Sequence, residues 1–271
     1  MPPEPQLSPT SRRLVGLTAV VFGLLGALLF LVPGWAADHF PWKVTPFVAM
    51  TMGGWYLGSA FTAAYCFARP RWAEVYGCLA YLGAFALFEA GLLVLYHGVL
   101  RPEAALAWPY GITLGVASLT ALAVALEAVR ARPALPDRGP VPGWVRLELL
   151  GLLGLTWTLA FFGPDSFGAD ASVFPQPLTP LTVRAFAAFY FSLGLAAAML
   201  LRTRDLAPVV AIVVTGYSLI VAITAAALVN LGEFDFAARP GGLLYFGAYV
   251  AAAIGAGFIL AYARRQDRAA A

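Results

Sequence analysis

Few side chains in this sequence could do chemistry, and the most unusual of them is an acid. In "FEAGLLVLYH" (88–97), Glu89 stands in an apolar run, with no other acidic or basic side chain except His97 between Glu74 and Arg101. Insertion scales put an acid at the middle of a membrane helix at a cost of about 2.5–3.5 kcal/mol. Residues of this kind face a bundle interior or a wet cavity, where they carry protons or cations or bond a neighbouring helix. Helical spacing supplies neighbours for Glu89. Phe85 lies at i−4, Leu93 at i+4 and Tyr96 at i+7, so Tyr81, Glu89 and Tyr96 fall roughly along one stripe. His97 follows at the helix end, roughly 12 Å above Glu89 at ~1.5 Å per residue. Glu89, Tyr81, Tyr96 and His97 are therefore the expected ligand or ion site. The competing expectation is a neutral Glu89 hydrogen-bonded to a tyrosine or threonine of a neighbouring helix.

Other chemistries find little support. There is no GxxxxGK phosphate loop, no HExxH zinc helix and no GxSxG nucleophile elbow. His39 and His97 are the only histidines, and both are expected at the same outer surface, as interfacial imidazoles or as a loose metal or cofactor pair. Lys43, the single lysine, lies in a loop, which excludes a retinal Schiff base. Cys66 and Cys78 have no metal-ligand spacing and read as small apolar filler. No catalytic residue, metal site or cofactor is assigned. Glu127 and Glu148 read as interfacial acids paired with Arg130, Arg132 and Arg146.

The elements that position these residues are membrane helices. Of 271 residues, 61% are hydrophobic and 11% charged, well below the ~25% charged of a soluble domain. The mean hydropathy is +0.80. Apolar blocks of roughly 18 or more residues predict eight transmembrane helices near 14–32, 48–68, 75–97, 109–129, 147–163, 185–201, 208–230 and 242–263. Proline and glycine punctuate their ends at "PGW" (33–35), "RPRW" (69–72), "WPYG" (108–111), "GPDS" (163–166) and "RPGG" (239–242).

Basic residues orient the bundle. Thirteen arginines (12, 13, 69, 71, 130, 132, 138, 146, 202, 204, 264, 265 and 268) fall in the termini and even loops. Only Lys43, Arg101, Arg184 and Arg239 fall in the odd loops. This bias places both termini in the cytoplasm, with a bacterial plasma membrane as the expected setting. Trp35, Trp42, Trp108 and Tyr110 then form an outer aromatic belt. The basic residues are scattered between apolar blocks, so nucleic acid is not an expected partner, whereas membrane lipids and other membrane proteins are. "SRRLVGL" (11–17) loosely resembles a twin-arginine export signal, but its apolar run is too long and reads as a retained first helix.

The halves of the chain resemble each other. "TPFVAMTMGGWYLGSAFTAA" (45–64) aligns with "TPLTVRAFAAFYFSLGLAAA" (179–198), with Thr, Pro, Tyr and two Ala identical and Trp55 facing Phe189. The fold expected is an all-α membrane protein of two tandem, parallel-oriented four-helix units at 14–129 and 147–263. A cytoplasmic tail (1–13), a linker (130–146) and a second tail (264–271) complete it. Small residues at spacing four (Gly54/Gly58, matched by Ala188/Ser192, and Gly111/Gly115) are expected at helix contacts. Glu89 aligns with Ile223 or Thr224, so the second unit lacks the acid. Its polar candidates are Tyr217, Thr224 and Asn230, with Thr215 and Ser218 on the same helix.

The hairpin "YLGSAFTAAYCFARPRW" (56–72) resembles small four-helix membrane families of the DoxX-like kind. The resemblance covers one hairpin without a polar motif and implies no activity. The leading expectation is an accessory or structural membrane subunit. The alternatives are a small-solute or proton-coupled transporter or channel using Glu89, and an enzyme modifying a lipid or quinone. A transporter requires a polar cavity reaching Glu89. An enzyme requires His39, His97 or the acids Asp38, Asp165, Asp170, Glu233 and Asp235 to gather at one mouth.

Overall fold

The computed structural model describes residues 4–133, 141–162, 174–176 and 178–270. Arg138, Asp165, Asp170, "GPDS" (163–166) and much of the linker lie outside the described residues. The described residues are helical, with an isolated bridge between Gln6 and Arg71 and no strand. The helices are α1 (Pro9–Leu31), α2 (Pro33–Asp38), α3 (Pro46–Ala68), α4 (Trp72–Leu95), α5 (Ala107–Ala131), α6 (Gly143–Phe162), α7 (Pro180–Leu200), α8 (Ala207–Val229) and α9 (Gly241–Ala270). Seven of the long ones (α1 and α4 to α9) are long and apolar enough to cross a membrane. The chain is therefore a multi-pass integral membrane protein.

Local sequence sets the helix ends. Ser8, Thr45 and Thr179 each cap a helix through the side-chain oxygen, and Pro9, Pro46 and Pro180 follow at the first position, where a missing N–H costs nothing. The shared "TP" of the two aligned segments is thus a helix start. Arg132 takes a left-handed conformation (φ 41°) at the end of α5, and Pro133 prevents the helix from continuing.

The long helix missing from the seven, α3, occupies the centre. Fifteen of its twenty-three residues are buried, including Thr51, Ser59 and Thr62, and only a narrow face with Phe61 and Phe67 is exposed, so most of its surface meets protein. It packs on α1, α8 and, less extensively, α4. The other main pairings are α6 on α7, α4 on α7, α4 on α5, α1 on α5, α4 on α8 and α8 on α9. By contrast, α6 and α9 scarcely touch, and neither do α7 and α8.

Aromatic rings fill the middle. Trp55 stacks on Phe189 with centroids 4.7 Å apart and planes 7° from parallel. Phe85 sits among Phe22, Tyr56, Tyr81, Trp55 and Phe189 at 5.6–6.5 Å. Such pairs contribute about 0.5–1.5 kcal/mol each beyond area burial.

At the arginine-rich end, the Glu74 carboxylate accepts from Tyr65, Arg69 and Arg71 at 2.6–3.1 Å, tying α3 to α4. Glu127 accepts from the Ser8 backbone N–H and hydroxyl at 2.7 and 2.6 Å. It clamps the N-terminal segment to α5 and makes no ion pair with Arg130 or Arg132. Cys66 and Cys78 are free, fully buried neighbours.

The small-residue pairs divide. A Cβ on Gly58 would lie 2.4 Å from Leu219 Cδ2 and 2.9 Å from Leu219 Cα, and one on Gly54 would lie 3.2–3.4 Å from the Ala222–Ile223 backbone. These glycines let α3 approach α8. Gly111 and Gly115 have nothing within 4 Å of such a Cβ, so they are not helix contacts in the described structure. Gly58→Ala is expected to lower stability by about 1–3 kcal/mol through overpacking. Gly115→Ala should be neutral or stabilising by up to about 1 kcal/mol through helix propensity. Thermal unfolding of both variants in one detergent checks the contrast.

Candidate functional site

Glu89 is 2% exposed and faces the bundle interior from α4. Its partner comes from α5: the Tyr110 hydroxyl donates to Glu89 Oε2 at 3.1 Å. Glu89 Oε1 has no hydrogen-bond partner. No arginine, lysine or histidine pairs with the carboxyl group. Tyr56 of α3 completes the cluster, its ring meeting that of Tyr110 edge-on at 5.9 Å.

The cluster is closed at the end of the bundle where α4 stops and α5 begins. The segment after α2 folds inward, and Phe40 and Trp42 pack edge-on against Tyr110 at 5.2 and 5.3 Å. Arg101 holds this segment by donating to the Phe40 and Trp42 carbonyls at 2.6 and 3.3 Å. Trp42 Nε1 donates to Thr182 Oγ1 of α7 at 3.1 Å. Trp42 and Tyr110 are buried, correcting their assignment to an interfacial belt, whereas Trp35 and Trp108 are exposed at 44% and 75%.

The expected stripe on α4 comes apart. Tyr81 is fully buried, but its hydroxyl bonds Ser59 Oγ at 2.8 Å rather than Glu89. Tyr96 is half-buried at the end of α4, and His97 is exposed with Nδ1 against the Val94 carbonyl at 3.0 Å. His39 stacks on Trp35 and bonds its carbonyl. Glu233 pairs with Gln176, and Asp235 caps Ala237 and Ala238. No group of three or more metal-ligating side chains gathers among the described residues.

On α8, polar side chains bond locally. Tyr217 donates to the Ala253 carbonyl of α9. Asn230 ends α8 by donating to the Ala226 carbonyl at 2.8 Å, and Thr224 Oγ1 is buried without a partner. Ser218 bonds the Thr215 and Gly58 carbonyls, and Thr215 lies 3.7 Å from Cys78 Sγ.

A separate cavity of about 380 Å³ lies among α6, α7, α8 and α9, with Thr62 and Tyr81 on its inner wall. Its lining is overwhelmingly apolar and includes Ile223, one of the two positions that align with Glu89. Glu89 itself does not line it. At ~24 cal/mol per Å³, a closed void of this size would cost about 9 kcal/mol, comparable to the whole stability of a domain. The cavity avoids that cost by opening on the flank between α6 and α9, where Glu148, Leu244 and Ala251 are exposed. Glu148 makes no ion pair with Arg146 in the described structure and approaches Gly255 instead.

Sequence reasoning missed Tyr110, Tyr56 and the cavity tyrosines Tyr190, Tyr245 and Tyr249. One signal was present, since Tyr56 and Tyr190 are the identical tyrosine of the aligned segments. No protein-family model, curated protein or solved structure matches the chain. The hairpin resemblance therefore supplies no functional residue.

Glu89→Gln preserves the Tyr110 contact and should stay within about 1 kcal/mol of the parent. Glu89→Ala opens a hole and strands the Tyr110 hydroxyl, at a cost of about 2–4 kcal/mol. Tyr110→Phe should cost about 1–3 kcal/mol by leaving the carboxyl group unbonded. Chemical denaturation of the three variants orders them. Equal losses for Gln and Ala would refute the packing role.

Proposed function

We propose that this chain is a non-catalytic accessory subunit of the membrane, with eight crossings in two tandem four-helix units (14–129 and 147–263). The single observation that carries the subunit reading is the closure of Glu89. The acid within α4 is bonded to Tyr110, which Phe40 and Trp42 cover, and it lies outside the lining of the cavity. Its role is to tie α4 to α5. Tyr217, Ser218 and Asn230 of α8 are likewise engaged with neighbouring backbone carbonyls rather than with an open path.

The tandem arrangement draws support from the pairing of helices. Matching α1, α3, α4 and α5 with α6, α7, α8 and α9 turns α1–α3 into α6–α7, α4–α5 into α8–α9 and α3–α8 into α7–α4, all of which are observed pairings. Trp55 and Phe189, aligned in sequence, stack on each other, as equivalent residues beside a two-fold axis would. In this reading α3 is the eighth crossing, largely shielded from lipid by its neighbours.

A proton-transport reading rests on the unbonded Oε1 of Glu89. Two measurements separate it from the subunit reading. Cross-linking in native membranes followed by mild solubilisation should recover the chain with a stoichiometric membrane-protein partner. Purified protein in liposomes should show no proton flux above empty vesicles. Recovery as a lone particle with flux abolished by Glu89→Gln would overturn the proposal.

The orientation has its own test. His97→Cys should react with an impermeant maleimide in intact cells, and Arg265→Cys only after permeabilisation. The native cysteines are fully buried and should not interfere. The reverse labelling pattern would invert the assigned orientation.

A further inference from the structure

We propose that the cavity among α6, α7, α8 and α9 is a binding site for a single hydrocarbon chain carrying an uncharged carbonyl or ester oxygen. The shape comes first. The lining runs along α9 from Leu244 to Ile259, roughly 22 Å at ~1.5 Å per residue. About 380 Å³ along that length makes an elongated slot in the size range of small-molecule sites. Leu149, Leu152, Ile212, Leu219 and Ile223 line it with branched aliphatic groups, which favour a flexible hydrocarbon over a polar solute.

The polar end is equally defined. Tyr190 of α7 and Tyr245 and Tyr249 of α9 line the cavity. Tyr190 and Tyr249 hydroxyls share one long contact of 3.5 Å. Tyr245 is 2% exposed, and its hydroxyl has no hydrogen-bond partner. Thr51 Oγ1, a neighbour of Tyr245, is also buried and unbonded, so the two hydroxyls do not reach hydrogen-bond geometry with each other. Buried phenols normally find a partner. That hydroxyl is closed off from the cavity, and the half-buried Tyr249, held only by its long contact with Tyr190, is the group from which a ligand oxygen would accept.

Charge narrows the class. Among the described residues, no arginine, lysine or histidine lines the cavity. Its one carboxylate, Glu148, lies at the opposite end and is exposed. An anionic head therefore finds no cation here, while a neutral carbonyl finds hydroxyl donors. The gap between α6 and α9 lets a chain enter sideways from the bilayer. The first four long helices have no matching slot among the described cavities, because Phe22, Tyr56, Phe85 and Glu89 occupy the corresponding interior.

Two sources share this chemistry, an isoprenoid quinone and an acylglycerol. The test uses the full chain in detergent, titrated separately with decyl-ubiquinone, monoolein and, as a charged control, oleate. Thermal shift against probe concentration yields each affinity, since a ligand bound only by the folded state raises Tm. Saturable stabilisation is expected from one or both neutral probes, which also identifies the source, and at least tenfold weaker binding from oleate. Tyr249→Phe should weaken the neutral probe about tenfold. Gly216→Leu should abolish binding, because its Cβ points into open space at the cavity wall and the added side chain fills the slot without a clash. The proposal is overturned if neither neutral probe saturates. It is equally overturned if oleate binds as well as they do, or if both variants fold and bind like the parent.

Discussion

The close approach of α3 to α8 at Gly58 is the constraint on which the rest of this structure depends. In a bilayer, apolar helices gain nothing from leaving one apolar medium for another, so their association rests on packing. At Gly58 the missing side chain lets Leu219 reach the α3 backbone, and at Gly54 the two backbones nearly meet. That contact joins the first four long helices to the last four. It also brings Trp55 opposite Phe189, and around this stack Phe85 and Tyr81 find their places. The hydroxyls nearby follow the same logic: Ser218 reaches across to the Gly58 carbonyl because the backbones are close.

From this seam the two sides diverge. On one, a carboxyl group is enclosed by aromatic rings and bonded to a phenol. On the other, the aligned position falls at Ile223 or Thr224, and the helices stand apart around an open slot. A buried acid demands tight closure, since any gap would admit water and weaken its one hydrogen bond. An aliphatic side chain makes no such demand. The inward-folded segment with Phe40 and Trp42 belongs with the acid, because it covers the tyrosine that holds it.

Much of this was legible in the chain, for identifiable reasons. Long apolar blocks gave the helices, and the repeated Thr-Pro gave two of their starts. The burial of Glu89 followed from its apolar neighbours. Its partner did not, because Tyr110 and Trp42 have the amphipathic character of interfacial residues, and only the path of the loop at 39–45 decides that they turn inward. Tyr96 falls at the C-cap of α4, where the helix ends and the chain departs. Glu127 looked like the natural partner of nearby arginines; it accepts instead from Ser8, 119 positions away in sequence. The slot left no sequence signal, since it arises from the spacing between helices rather than from any residue type.

The burial of α3 bears on how such a chain is assembled. Gly54 and Gly58 fit the α8 backbone, and the residues they meet, Leu219 and Ala222, are synthesised some 160 residues later. Until then the Gly54/Gly58 face is covered by nothing the chain itself has yet made. Biogenesis therefore has an interval, set by the length of chain between α3 and α8, in which the half-finished protein presents a glycine-rich groove to the bilayer. An insertion chaperone, or another newly made membrane helix, would find its opening there.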